Sequence, residues 1–201
     1  MKKIPSLFIR EFENHIIRNI TTQVTPGCEW VLNGEGIATE KFDGTCCLIQ
    51  DGKLYKRYDA KKGKIPPKGA IPCQPEADPI TWHWPHWVLV SKDKPEDKWY
   101  VKAYDYLGEQ SMLYGKYIID GTYELCGPHF QGNPYNLERD LFFRHGEKVL
   151  KDVPRDFEGI KKYLEEHYIE GIVFHRGNGD MCKIKRTDFN LEWNNSNNKR
   201  K

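Results

Sequence analysis

A chain of 201 residues with 38% hydrophobic and 30% charged side chains is long enough to bury one core, and no run in it approaches eighteen apolar residues, which excludes a transmembrane helix. The opening MKKIPSLFIREFENH interrupts its apolar stretch with arginine and glutamate, so no secretory signal is expected. The net charge of +2, from 31 basic and 29 acidic residues, excludes a strongly one-signed surface but leaves room for a local basic groove.

Six cysteines (28, 46, 47, 73, 126 and 182) form no Cys-x-x-Cys pair, and without a signal they are read as reduced thiols of an intracellular, cytoplasmic protein. In chain order, residues 7–20 are read as a short amphipathic helix or a strand leading into one. Residues 29–32 and 37–40 have strand composition. Runs 45–50 and 54–58 meet across Asp51-Gly52, a strong hairpin signal. Residues 61–77, rich in Pro, Gly and Lys, are a loop. Strands are expected at 99–106 and 116–126, a loop at 127–136 and a short strand at 141–143. Apolar residues at 157, 160 and 164 give residues 156–167 a helix face. Strand 169–174 then turns at Gly177-Asn178-Gly179-Asp180 into strand 181–185. These elements predict an α+β fold of mostly antiparallel sheets with flanking helices: one domain over 1–190, then a basic, flexible tail over 191–201.

Three segments set reactive side chains beside glycine. The first is Glu40-Lys41-Phe42-Asp43-Gly44, and the second is Tyr123-Glu124-Leu125-Cys126-Gly127-Pro128 with Gln131 downstream. The third is Glu170-Gly171-Ile172-Val173-Phe174, followed by Lys183 and Lys185 on one strand face. Each is unremarkable alone, since lysines before Asp-Gly turns and paired surface lysines are common. In this order, over Glu40 to Lys185, they resemble the covalent nucleotidyltransferases: DNA ligases, RNA ligases and mRNA capping enzymes. The Glu124-Leu125-Cys126-Gly127-Pro128 run is most similar to ATP-dependent 5′–3′ RNA ligases.

The resemblance implies an antiparallel nucleotidyltransferase core, and the short stretch after Lys185 leads us to expect no OB-fold domain. It implies that Lys41 attacks ATP to give lysyl–AMP, that AMP passes to an RNA 5′-phosphate, and that this end is joined to a 3′-hydroxyl. A lysine near its ordinary pKa of ~10.4 is protonated at neutral pH, so Lys41 needs desolvation or neighbouring positive charge, from Lys183, Lys185 and a cation. Mg²⁺ or Mn²⁺ is expected on Glu170 first and Asp43 second. Glu40 belongs to the nucleotide-contacting set, Glu124 to the ribose, Arg57 to phosphate or ribose, and either Phe142 or Phe143 to the adenine. The implied partners are ATP and RNA, with no membrane, and the protein is expected to be a monomer. A GTP-using capping guanylyltransferase, a DNA ligase core and a non-catalytic RNA-binding module are the alternatives.

Other features have a plain reading beside the functional one. Trp82-His83-Trp84-Pro85-His86-Trp87 lacks the partners of a zinc site; its tryptophans are read as packing on the core before stacking on bases. One of Cys46 and Cys47 is expected to face the core. The run Lys61-Lys62-Gly63-Lys64 is read as a solvated charge run, as is the tail.

Overall fold

The computed structural model describes residues 1–13, 16–79 and 81–193, so the end of the expected tail lies outside the described residues. In chain order the elements are β1 (Phe8–Glu13), β2 (Ile16–Val24), α1 (Glu29–Leu32), β3 (Ile37–Lys41), β4 (Thr45–Gln50), β5 (Lys53–Ala60) and β6 (Ile71–Pro72). There follow β7 (Trp84–Leu89), α2 (Lys98–Leu113), β8 (Gly121–Cys126), β9 (Leu141–Arg144), α3 (Phe157–Glu166), β10 (Gly171–His175) and β11 (Met181–Lys185). The α+β character and the antiparallel sheets agree with the sequence reading. The described residues form two compact units, one from Met1–Lys3 with Asp43–His145 and the other from Ile4–Phe42 with 146–193.

The second of these, assembled from both ends of the chain, carries the antiparallel hairpin β1–β2 and a three-stranded sheet in the order β11–β10–β3. Phe8, Val31, Ile172, Phe174 and Ile184 fill its core together with Ile160 and Leu164, which project from one side of α3. Asp156 caps that helix, its carboxylate accepting the Gly159 N–H at 2.9 Å. The described residues of 7–20 form no helix; from Phe8 on they belong to the β1–β2 hairpin. Phe8 is buried and Ile9 more than a third exposed, on opposite faces of β1. Residues 29–32, expected as a strand, are one helical turn, closed by Trp30 Nε1 donating to Gly27 O at 3.0 Å and Gly27 N–H donating to Glu29 at 2.8 Å. Cys28 and Cys182, expected as thiols, are joined in a disulfide inside this core, with Cα atoms 6.1 Å apart. The expectation of six free cysteines is therefore corrected to four described thiols.

The other unit is built on a six-stranded antiparallel sheet in the order β6–β7–β5–β4–β8–β9. The β4–β5 hairpin turns where expected, with φ of 51° at Asp51 and 68° at Gly52, the two positive values that a type I′ turn requires. Residues 99–106, expected as a strand, lie inside α2. Trp99, Tyr100, Ala103, Tyr104 and Leu107 fall on one helix face and cover Cys47, Ile49, Leu54 and Leu125 of the sheet. Aromatic composition suggested a strand, and the three-to-four-residue spacing decided for a helix. Strand β8 begins only at Gly121, so 116–120 is not strand. Trp84 and Trp87 belong to β7, where Trp87 and His86 are buried, whereas Trp82 is half exposed and does not pack on the core as expected.

Candidate functional site

In the unit containing β3, strand register sets the chemistry. Lys41 pairs with Gly171, and Gly171 with Lys185, so two lysines flank a position without a side chain. A Cβ at Gly171 would come 2.3 Å from Ile184 O, so only glycine fits where β10 meets β11. Glu170, one residue earlier, is 3% exposed. Its Oε2 lies 2.5 Å from Lys41 Nζ and its Oε1 2.8 Å from Lys185 Nζ. Lys41 Nζ also donates to Phe42 O at 3.2 Å. The next row on the same face holds Thr39, Val173 and Lys183.

Lys183 is enclosed because residues 5–7 run along the edge of β11: Leu7 N–H donates to Lys183 O at 2.7 Å and Lys183 N–H to Pro5 O at 3.0 Å. That burial, reinforced by the charges of Lys41, Lys185 and Arg10, pushes the Lys183 amine down to about 7, against an opposing pull from Glu170. Thr39 Oγ1 stands 2.9 Å from His175 Nε2 on this face, a pair that no sequence motif marked. Glu40, expected to contact nucleotide with Lys41, points to the opposite strand face. There its Oε2 lies 2.6 Å from Lys148 Nζ, an ion pair without hydrogen-bond alignment.

In the six-stranded unit, Arg57, Cys46, Glu124 and Phe143 follow one another across β5, β4, β8 and β9 on one face. Glu124 Oε1 accepts the Gly44 N–H at 3.1 Å. Its Oε2 lies 2.9 Å from His145 Nε2, while His145 Nδ1 is 3.0 Å from Thr122 Oγ1. Gly44 and Gly127 are both forced: a Cβ at Gly44 would sit 2.4 Å from Leu125 O, and one at Gly127 would sit 2.5 Å from Asp140 Cα. Phe142 points the other way, into the apolar cluster beneath α2, edge-on to Tyr104 and Tyr123. Arg57 Nε donates to Asp59 at 3.2 Å, and the Asp43 N–H to Tyr135 Oη at 2.7 Å.

Cys46, Glu124 and His145 each bring one donor atom within 4.8 Å of the others. Burial, aided by the negative Glu124, pushes the Cys46 thiol up to about 12, so it stays protonated and is a poor nucleophile or ligand. Cys47 faces the core. Sequence reasoning missed His145; its spacing of two from Phe143 was the only local signal.

A family model described as RNA ligase 1 matches residues 65–200. The chain belongs to the RNA ligase 1 family. The matched stretch holds Glu124, Phe142, Phe143, Glu170, Lys183 and Lys185 and begins after the Lys41 turn. Proteins named RNA ligase 1 from Pongo abelii and Rattus norvegicus are 26% and 27% identical, each alignment covering 78% of this chain and 68% of the relative. One of the same name from Danio rerio is 23% identical over 96% of this chain and 82% of its own. Among the described residues of this RNA ligase 1 family member, no helix is long and apolar enough to cross a membrane.

Proposed function

We propose that this RNA ligase 1 family member is an ATP-dependent RNA ligase that works through AMP carried on Lys41. Lys41 Nζ would attack the α-phosphorus of ATP, forming a P–N bond as the bond to pyrophosphate breaks. AMP would then move to an RNA 5′-phosphate, and a 3′-hydroxyl would displace it to seal the strand. A protonated amine has no lone pair, so Lys41 must first lose a proton.

The observation that carries this reading is Glu170, a buried carboxylate 2.5 Å from Lys41 Nζ and 2.8 Å from Lys185 Nζ. It lies within hydrogen-bond reach of the proton that Lys41 must lose. Lys183 and Lys185 are assigned to phosphate oxygens, Glu124 to the ribose hydroxyls and Arg57 to phosphate or ribose. Phe143 is assigned to the adenine, because it shares a face with Glu124 whereas Phe142 is packed in the core.

Mg²⁺ or Mn²⁺, when bound, would offset charge on the transferring phosphoryl group. Glu170 is the first carboxylate assigned to it and Asp43 the second. The oxygen donors suit either ion.

Incubation with ATP or GTP labelled at the α-phosphate, followed by denaturing electrophoresis, tests the reading. Label from ATP that disappears in Lys41→Ala is the expected result. Label from GTP would make the protein a guanylyltransferase, and no label from either would leave an RNA-binding module. Sealing of 5′-phosphorylated RNA, with poor sealing of the same sequence in DNA, is expected; equal sealing of both would remove the RNA assignment.

A further inference from the structure

Trp82, in the six-stranded unit, belongs to neither set of candidate residues. Half of its surface (51%) is open to solvent, and its backbone φ is +57°, a region that bulky side chains avoid. The turn that imposes this conformation is well tied. Trp82 N–H donates to Asp78 O at 2.8 Å, and Asp78 Oδ1 accepts from Thr81 N–H at 2.7 Å and Thr81 Oγ1 at 2.8 Å. Lys3 Nζ closes it on Asp78 Oδ2 at 3.1 Å. Partial burial would raise the Asp78 carboxyl, but these hydrogen bonds draw it down to about 2, so the turn stays capped at neutral pH. Backbone strain held beneath an exposed ring does little for core packing, and such strain concentrates at ligand clamps.

The ring has cationic company. Ala60 pairs with Trp84, so Lys62 and Trp82 leave the ends of facing strands, and Lys62 Nζ lies 4.9 Å from the indole centroid. Residues 61–74 carry four lysines, Lys61, Lys62, Lys64 and Lys68, all exposed, and no carboxylate.

We propose that Trp82 and these lysines form a docking platform for unpaired nucleotides of an RNA strand, the indole stacking on a base and the ammonium groups lying along the phosphates. The RNA identity of the strand rests on the function proposed above. An indole face accepts any base, so the contact is independent of sequence, and paired bases have no free face to offer.

The test is anisotropy of a labelled twelve-nucleotide unpaired RNA, without ATP, at several salt concentrations. Trp82→Gly removes the ring and leaves a residue that accepts the positive φ; about tenfold weaker binding is expected. Trp82→Phe should keep most of the affinity. Lys62→Ala with Lys64→Ala should weaken binding and lower the slope of log affinity against log salt by about 1.4. Duplex RNA of the same length should lose less than about twofold with Trp82→Gly, as expected when stacking needs unpaired bases. Unchanged single-strand affinity in Trp82→Gly, or an equal loss for duplex, overturns the platform. If the glycine variant fails to fold, the double-lysine variant decides, and an unchanged salt slope overturns the proposal. Lysyl–AMP formation needs no RNA, so absence of ATP label in the wild type would defeat the proposed activity while the binding result still stands.

Discussion

Glu170 holds two ammonium groups on one buried carboxylate, and the consequences of changing it follow from that count. Glu170→Gln keeps the shape but leaves Lys41 and Lys185 without their counter-charge. Breaking such a buried pair costs about 3 kcal/mol, and we expect that loss in denaturant melts together with a fall of about a hundredfold in adenylation. Wild-type labelling by a folded Glu170→Gln would remove the carboxylate from the chemistry. Lys41→Arg should give no covalent nucleotide, because guanidinium stays protonated, and intact-protein mass spectrometry reads this directly.

Lys183 makes a separate prediction in pH. Its amine is pushed down to about 7 in the folded chain, against an ordinary value of roughly 10.4, so the unfolded chain binds that proton more tightly. Folding stability therefore rises as pH climbs from about 7 towards 10. Lys183→Met should lose this rise, and its stability relative to wild type should be most favourable near pH 6.5 and fade by pH 10. A constant difference across that range would show that Lys183 is not held neutral.

Among the elements, the tightest constraint is where β10 meets β11. Gly171→Ala would drive a Cβ to 2.3 Å from Ile184 O, a backbone atom that yields only by parting the strands. We expect a loss of about 3 kcal/mol and a matching loss of adenylation as Lys185 is drawn from Glu170, read by melts and labelling of the same preparation. Gly171 was visible in the sequence as part of Glu-Gly-Ile-Val-Phe. The β4–β5 hairpin and the capped helix α3 were equally legible, because turn residues and helix faces are short-range signals. The turn α1 and the helix α2 were not, since their aromatic and β-branched residues favour strands until a sheet gives one helix face something to cover. In the candidate site the motif residues could be read, whereas His145, Thr39 and the choice between Phe142 and Phe143 depend on strand register. Register is set by partners that lie far away in sequence.

At the scale of the molecule, the disulfide joins residues 154 positions apart, a pairing that no local pattern announces. Both cysteines lie in the unit made from the two ends of the chain, so the bond ties those ends together inside one core. A thiol titration of denatured, unreduced protein should find four of the six cysteines free, and all six after reduction. Reduction or Cys28→Ala with Cys182→Ala should lower unfolding stability by about 2–5 kcal/mol. Six reactive thiols before any reductant is added would show the bond absent.

The split of that same unit has a consequence for how the protein is made. Residues 43–145 leave the ribosome as one continuous stretch and can fold while β3 still waits for β10 and β11. Until residues 170–175 have emerged, Lys41 has neither its neighbouring strand nor the carboxylate 129 positions downstream that holds it. Every nascent intermediate short of that point therefore carries the lysine without its partners, and under the proposed mechanism a message cut short there would yield a polypeptide unable to charge itself with nucleotide.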